Sequence, residues 1–429
     1  MRTRFPRLVG GLAVLLLPLA CVDPEDILLR GTVDVLVVDG TITNGAEPQL
    51  IKLNRSTADR LTGLLGTTPI RGATLQVIED SSLVIASHET TAGSYQLPAD
   101  FRGRVGHTYQ LRFVLPGGEQ YQSNAQTMPP APPIERVYAR FNPSSLNSTL
   151  LQGFSAAHDV YVDLQDPQGE TNFYRWDWKL WETQGVCRTC VQGRYSINNV
   201  LTQYAANGFR YFTTGDSLFE NCFYPPADDP SASQYFAYDY PCRTHCWALF
   251  YSHDLHVFAD TYSNGRLITG RQVAQIPYYQ HSPCLVEIRQ SALTPSAYQY
   301  FRQLADQTQK TGGVADIPPA ALGGNVHNLA DSREGIVGFF TAAAVATSPY
   351  WLDRKDATGI PLGATDPAGG SGVLGAELFY ALSKRQPLLE PSPPTGPAFQ
   401  ILGKAQPQPT AICESTERQT PVKPIGWRD

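Results

Sequence analysis

Residues 315–345, ADIPPAALGGNVHNLADSREGIVGFFTAAAV, place a polar turn directly before an apolar run. Prolines and glycines fix or free the backbone of the first half, and short polar side chains there can bond their own main chain. The run that begins at Ile336 combines β-branched, aromatic and small residues and precedes Tyr350 and Trp351, which is typical of a strand buried on both faces. This stretch therefore predicts a turn that leads into a central strand.

The composition favours strands over helices. The chain has 429 residues with 36 Gly, 34 Pro, 21 Tyr and 18 Phe, a mixture that suits short strands joined by many turns. At this length two hydrophobic cores are expected. The predicted fold is mainly β, with an N-terminal immunoglobulin-like β-sandwich followed by a larger β-rich domain with few helices.

The N-terminus has the features of a secretory signal. Residues 1–20 contain three arginines and then an apolar core, and they end in Leu-Ala before Cys21. We expect a lipoprotein signal peptide at 1–20, a covalent lipid on Cys21 as the only attached group, and no other cofactor. An ordinary cleaved signal with an incidental cysteine is the alternative. Residues 21–32, with Asp23, Glu25 and Asp26, form an acidic tether or a plain solvated linker.

The remaining chain divides by composition. Short strands and Gly-containing turns over 33–127 predict the immunoglobulin-like module, and the Pro-rich stretch MPPAPPI at 128–134 predicts a stiff linker. The second domain, 135–429, includes a cysteine-rich lobe at 186–246 and a Gly/Pro-rich insertion at 353–405. Its one expected helix covers 295–310, after the capping residue Thr294.

An alternating strand opens this second domain. In NFYRWDWKLWE, the side chains of Tyr174, Trp176 and Trp178 point to one face, and charged side chains occupy the other. Such a row of aromatic residues can be a sugar platform, but core packing is the favoured interpretation.

Seven cysteines follow Cys21, and export favours disulfides between them over zinc. The short spacing from Cys187 to Cys190 predicts that both pair outward, toward Cys222, Cys242 or Cys246, and leaves Cys284 or Cys413 unpaired. The metal alternative is a zinc site at Cys187, Cys190, Cys242 and Cys246, with His245 as a substitute ligand.

Other candidate chemistry is weak. The chain has no G-x-S-x-G, H-E-x-x-H or Walker motif, so we expect no catalytic residues and no enzyme activity. His253 and His256 are the best metal-like pair, although their spacing puts them on opposite faces of a strand. A small ligand, if one binds, is expected at the turn residues Asn325, His327, Asn328 and Asp331.

Several segments together resemble a known family. The Pro-rich turn with Gly-Asn-Val and Gly-Ile-Val-Gly-Phe-Phe, the stretch VDVLVVDGTIT at 33–43, and Cys413 followed by a closing Lys-Pro-Ile-Gly-Trp are similar to bacterial surface lipoproteins catalogued as domain of unknown function 4249. The resemblance implies no activity. Family members have a second cysteine just after the position of Cys413, which residues 414–416 lack, so Cys413 is either unpaired or bonded to a cysteine far upstream.

These features predict the location and leave three functional hypotheses. The acids after Cys21 resemble a signal for display on the outer leaflet, so we expect a lipid-anchored protein on the periplasmic or surface-exposed face of the outer membrane. The leading hypothesis is a non-enzymatic accessory or binding subunit of an envelope complex. By analogy, a TonB-dependent transporter or another envelope protein is the expected partner, and no nucleic-acid partner is expected at a net charge of −6. The alternatives are a secreted carbohydrate-active hydrolase or sugar-binding protein, and a passive structural or adhesive surface protein.

Overall fold

The computed structural model describes residues 35–58, 65–146, 154–190, 194–196, 201–206, 209–214, 221–223, 238–252, 254–308, 322–362 and 410–429. The signal peptide, Cys21, the tether, His253 and most of the predicted 353–405 insertion lie outside these residues. The described part contains 27 strands and one helix, which confirms the prediction of a mainly β protein. None of its helices is long and apolar enough to cross a membrane.

In chain order the first elements are β1 (Val35–Thr43), β2 (Leu50–Ala58), β3 (Leu65–Pro69), β4 (Thr74–Glu79), β5 (Leu83–Ala86), β6 (His88–Thr91), β7 (Ser94–Gln96), β8 (Thr108–Val114), β9 (Gln120–Ser123), β10 (Gln126–Thr127), β11 (Arg136–Asn142), β12 (Ala157–Gln165) and β13 (Phe173–Thr183). They are followed by β14 (Val186–Cys190), β15 (Arg194–Ser196), β16 (Leu201–Ala206), β17 (Phe209–Thr214), β18 (Asn221–Phe223), β19 (Tyr238–Pro241), β20 (Trp247–Tyr251), β21 (His256–Ala259), β22 (Leu267–Pro277), β23 (Cys284–Ala292), α1 (Pro295–Thr308), β24 (Val326–Asn328), β25 (Ile336–Ala343), β26 (Val345–Leu352) and β27 (Gln419–Thr420).

Two six-stranded sheets form the first sandwich. Sheet 1 has the order β25-β1-β2-β7-β6 with β3 beside β2, and sheet 2 has the order β24-β9-β8-β4-β5 with β10 beside β8. Alternating residues of each sheet face the other and exclude water, which is the main stabilising contribution. The shared core includes Leu36, Val38, Ile42, Ile51, Leu53, Leu75, Val77, Tyr109, Leu111, Phe113, Tyr121 and Phe340.

The stretch at 315–345 supplies one strand to each of these sheets. β25 pairs with β1 in parallel, and β24 pairs with β9 in an antiparallel register. All but one of the β25 residues are buried, as the apolar run predicts. Residues that the sequence-based scheme assigns to the second domain thus complete the first sandwich.

A second sandwich is built from a three-stranded and a six-stranded sheet. Sheet 3 has the order β11-β12-β22, and sheet 4 has the order β26-β23-β13-β20-β27 with β21 beside β13. Tyr174, Trp176 and Trp178 of β13 lie in the core between them, with exposed fractions of 0%, 0% and 6%. The interpretation of this aromatic row as core is therefore confirmed.

Helix α1 packs at the junction of the two sandwiches. Thr294 caps it, since its hydroxyl oxygen accepts a hydrogen bond from the Ala297 backbone at 3.3 Å. The same hydroxyl donates to Gln126 Oε1 at 2.6 Å. Tyr300 stacks on Phe339 of β25 with ring centroids 5.0 Å apart. The predicted helix at 295–310 is confirmed over Pro295–Thr308, and residues 309–310 lie outside the described part of the chain.

The predicted linker at 128–134 packs against both sandwiches. Met128 is buried in the first core. The Pro132 carbonyl accepts a hydrogen bond from Gln290 Nε2 at 2.8 Å, and Gln290 Oε1 accepts one from the Trp176 indole at 3.0 Å. These contacts fix the connection at both ends.

Candidate functional site

The cysteine-rich lobe is an insertion between two neighbouring strands of sheet 4. It leaves the sheet after β13 and returns at β20. Within it, β14 pairs with β19, β15 with β18 and β16 with β17 as separate two-stranded ribbons. In the part of the lobe that the structure describes, these strands pair with no strand outside it. The lobe is therefore an addition that sheet 4 does not need for its own closure.

Two disulfides fix the base of this lobe. Cys187 is bonded to Cys242 across a separation of 55 residues, and Cys246 is bonded to Cys413 across 167. In the chain-entropy model these bonds stabilise the fold by about 4 and about 5 kcal/mol respectively, because they restrict the unfolded chain. Cys187 thus pairs outward, and Cys413 is bonded to a cysteine far upstream.

The zinc alternative can be compared with this arrangement. The sulfurs of Cys187, Cys242 and Cys246 lie within 4.8 Å of one another, so three of the four proposed ligands are brought together. All three are in disulfides, which removes the thiolates that zinc requires. The side chains of Cys190 and Cys222 lie outside the described part.

The C-terminal segment, 410–429, closes the base of the lobe. The Ala411 backbone donates to the Pro241 carbonyl at 2.9 Å, and β27 extends sheet 4 beside β20. Trp427 contacts Trp247 and Trp351, with ring centroids 5.9 Å and 5.1 Å away. The lobe base is thus joined covalently and by packing to the second sandwich.

A buried polar cluster supports sheet 4 near the same end. Arg354 donates to Glu182 Oε1 at 2.9 Å and to the Cys284 sulfur at 3.5 Å. Cys284 is unpaired and buried. Burial raises the pKa of its thiol to about 12, although the Arg354 charge opposes this shift. The group is therefore a protected neutral thiol, as structural cysteines usually are.

The outer side of sheet 4 carries a face that we call the charged face: Glu47, Arg175, Asp177, Lys179, Glu287 and Arg289. Arg289 donates to Glu47 Oε2 at 2.7 Å, and Lys179 Nζ lies 3.4 Å from Glu47 Oε1. Asp177 lies 3.5 Å from the Arg289 guanidinium. Glu47 belongs to the β1–β2 loop, so these ion pairs join the first sandwich to the second.

Two carboxyl groups of the charged face have pKa values shifted in opposite directions. Burial raises the pKa of Glu287, and the Arg289 charge only partly opposes this. Burial would also raise the pKa of Glu47, but Arg289 and Lys179 outweigh it and the net shift is downward. Glu287 is therefore easier to protonate than Glu47.

A cleft of about 210 Å³ adjoins the charged face between the end of β20 and the start of β21. Its lining includes Arg175, Asp177, Tyr251, Ser252 and Asp254. Lys179 lies 4.8 Å from the ring centre of Trp181 and 5.6 Å from that of Tyr251. Charged, hydroxyl and aromatic groups together suit a polar ligand with apolar faces.

The predicted ligand turn is engaged in internal hydrogen bonds. The Asn325 side chain forms two hydrogen bonds with the backbone of Phe340 in β25. Its Nδ2 donates to the carbonyl at 2.7 Å, and its Oδ1 accepts from the backbone N–H at 2.9 Å. Asn328 Oδ1 accepts from the backbone of Ala330, and Asp331 Oδ1 accepts from that of Arg333. His327 is exposed on β24. The four residues thus lie on β24 or beside it, and the side chains of Asn325, Asn328 and Asp331 form internal hydrogen bonds.

Neither His245 nor His256 belongs to the group formed by the sulfurs of Cys187, Cys242 and Cys246. His245 stacks on Trp247 with ring centroids 6.2 Å apart. His256 lies on β21, and its buried Nε2 has no hydrogen-bond partner among the described residues. Burial lowers the pKa of His256, which keeps it neutral.

A family described as Domain of unknown function (DUF4249) matches residues 22–348. The chain belongs to the DUF4249 family. The DUF4249 match includes the lobe, the charged face and the strands from β1 to β25, whereas Cys413 and the C-terminal segment follow it. No curated protein and no solved structure matches the chain.

Sequence reasoning did not identify the charged face of this DUF4249 member. The alternation in β13 already indicated that Arg175, Asp177 and Lys179 share an outer surface. It gave no sign that Glu47 and Arg289, far away in sequence, complete that surface, because their pairing depends on how the two sandwiches meet.

Proposed function

We propose that this protein is a lipid-anchored outer-membrane lipoprotein that acts as a non-enzymatic accessory or binding subunit of an envelope complex. A TonB-dependent transporter is the expected partner. The proposal rests mainly on the cysteine-rich lobe. Two disulfides hold the base of this insertion, and its described strands do not pair with those of sheet 4. Insertions held by a rigid scaffold are where binding surfaces concentrate.

The cysteine chemistry supports export. Disulfides persist in oxidising compartments and are rare in the cytosol. The Cys187–Cys242 and Cys246–Cys413 bonds therefore agree with the signal-like residues 1–20 and with lipidation at Cys21. A lipid on Cys21 followed by the acidic tether would hold both sandwiches close to a membrane partner.

Affinity isolation of the full chain from detergent-solubilised membranes tests this proposal. The matched variant replaces residues 190–238 with a short Gly-Ser linker. Thr189 and Asp239 are paired neighbours on β14 and β19, so the linker closes a hairpin and keeps both disulfides at the lobe base. A transporter subunit should be recovered with the full chain and lost with the variant. Recovery of the chain alone would count against the proposal.

A Cys21→Ser variant separates the anchor from the partner. It should lose covalent lipid, detected by intact mass, and move from the membrane to the soluble fraction after cleavage or remain as an uncleaved precursor. Unchanged mass and unchanged membrane association would remove the lipoprotein part of the proposal.

The charged face favours a second candidate, a secreted carbohydrate-active hydrolase or sugar-binding protein. Paired carboxyl groups whose pKa values are shifted apart are a feature of acid–base sites. Glu287 would be the acid and Glu47 the carboxylate. Lys179, which interacts electrostatically with both, lies over the rings of Trp181 and Tyr251. Glu287→Gln should abolish hydrolysis of a bacterial or plant glycan panel. If the unmodified protein neither binds nor cleaves any glycan and has no partner, a passive structural or adhesive role remains.

A further inference from the structure

Two buried aspartates face each other at the end of the second sandwich opposite to the lobe. Asp166 follows β12 and Asp260 follows β21, so each begins a loop that leads into the next strand. Their exposed fractions are 1% and 0%. Each carboxyl lies within hydrogen-bonding reach of the other. Neither residue belongs to the surfaces described above.

Three of the four carboxyl oxygens already accept a hydrogen bond. Asp166 Oδ1 accepts from the Tyr174 hydroxyl at 2.6 Å, and Oδ2 accepts from the Gly265 backbone at 3.0 Å. Asp260 Oδ2 accepts from Asn172 Nδ2 at 3.3 Å. Asp260 Oδ1 is buried and has no partner among the described residues. A buried acceptor without a partner is costly and calls for a positive neighbour.

The charges of the two carboxyl groups also favour a positive group beside them. Burial raises the pKa of Asp166, and the adjacent Asp260 raises it further. Among the described residues, no Lys or Arg forms an ion pair with either carboxyl. Two ionised carboxylates cannot share a dry site unless a positive charge lies with them.

The side-chain amide of Asn172 links Asp260 to the loop that begins at Asp166. Asn172 Nδ2 lies 3.0 Å from the Glu170 carbonyl and 3.4 Å from the Pro167 carbonyl, besides its contact with Asp260. Carboxylate oxygens supplied by loops are ligands that Ca²⁺ prefers.

We propose that Asp166 and Asp260 bind a divalent cation of the Ca²⁺ type, with the unpartnered Asp260 Oδ1 as one ligand atom. The cation supplies the partner that Asp260 Oδ1 lacks and balances both carboxylates. It also ties the β12–β13 loop to the β21–β22 loop. An exported protein meets Ca²⁺ at concentrations that suit a site with a dissociation constant of about 10⁻⁴–10⁻³ M.

A proton shared between the two carboxyl groups is the rival explanation, and one substitution distinguishes the two. Asp260→Asn keeps the shape of the side chain and imitates a protonated carboxyl, so the variant folds under either explanation. It removes the charge that a cation needs. Glu135→Gln is the matched control, because it makes the same charge change at an exposed carboxyl of the same sandwich.

The test uses the purified full chain at neutral pH with two readouts. The first is Tb³⁺ luminescence sensitised by neighbouring aromatic side chains and displaced by Ca²⁺. The second is the midpoint of thermal unfolding in Ca²⁺ and in chelator. We expect displaceable luminescence and a rise of about 2–4 °C with Ca²⁺ at tenfold its dissociation constant, in the wild type and Glu135→Gln but not in Asp260→Asn. The proposal would be overturned if Ca²⁺ changed neither readout of the wild type and Asp260→Asn were at least as stable as the wild type. That result would establish the shared proton.

Discussion

Gly338 of β25 lies against Val38 of β1 so closely that a Cβ atom on it would be 1.9 Å from the Val38 carbonyl oxygen. The two residues are partners in a parallel register. Gly338 also has a φ of +103°, which favours glycine over every other residue. The pairing of β25 with β1 at the edge of sheet 1 therefore depends on a glycine about 300 positions after Val38 in the chain.

Substitution of this glycine should be severely destabilising. Gly338→Ala places a methyl group against backbone that cannot withdraw, in a conformation that alanine avoids, and should cost about 3 kcal/mol or more. Urea unfolding measures the loss. Gly335→Ala is the control, since nothing lies within 4 Å of its position, and it should change stability by less than about 1 kcal/mol. Equal effects of the two substitutions would contradict the close approach.

Local features of the fold were predictable and long-range ones were not. Alternation in β13, the Thr294 cap and the polar turn before Ile336 each depend on residues within one element or its neighbours. The pairing of β25 with β1 depends on two segments at opposite ends of the chain, for which periodicity contains no information. The same limit applies to the Cys246–Cys413 bond, since connectivity does not follow from the positions of cysteines.

Two ion pairs that involve the second sandwich, Arg354–Glu182 and Arg289–Glu47, should differ strongly in their effect on stability. Arg354 and Glu182 have side chains that are 0% and 6% exposed, so Glu182→Gln leaves a buried charge unpaired and should cost about 3–5 kcal/mol. Glu47, whose side chain is 52% exposed, pairs with Arg289 in partial contact with water, and Glu47→Gln should cost less than about 1 kcal/mol. Chemical unfolding of both variants provides the comparison. A larger loss for Glu47→Gln would refute this ranking.

Stability should fall as the solution is acidified through the histidine range. Burial lowers the pKa of His158, although Asp356 partly opposes the shift, and burial also lowers the pKa of His256. Below about pH 6.5 the unfolded chain therefore binds protons that the folded chain does not, and the free energy of unfolding declines.

The matched comparison is a His158→Gln, His256→Gln double variant. It should be less stable than the wild type overall, yet its unfolding free energy should change less between about pH 7 and pH 5. Taking the difference between the two curves cancels the other titrating groups. Parallel curves would show that these histidines are not held neutral by burial.

Cys284 should resist modification until the protein unfolds. Its thiol is buried, and desolvation is the main cause that raises its pKa to about 12. Almost no thiolate therefore forms at pH 8. Alkylation with iodoacetamide followed by peptide mass mapping should leave the Cys284 peptide unlabelled in the native protein and label it fully in guanidinium. Rapid labelling of this peptide under native conditions would contradict the buried placement.

Removal of the Cys246–Cys413 disulfide should lower the stability of the protein. Cys246→Ala and Cys413→Ala should each lower the free energy of unfolding by about 2–5 kcal/mol, and the double variant should lose no more than either alone, because one bond is removed in all three. Additive losses would mean that the two cysteines act independently.

The most direct test of the proposed function measures how much transporter is recovered per copy of this protein. Full-length chain and the chain with residues 190–238 replaced are each isolated from solubilised outer membranes, and co-purifying proteins are quantified by mass spectrometry. The account predicts a TonB-dependent transporter in near-equal amount with the full chain and a loss of at least about tenfold with the replaced lobe, which corresponds to 1.4 kcal/mol of binding free energy. Equal recovery of the transporter with both chains, or its absence from both, would contradict it.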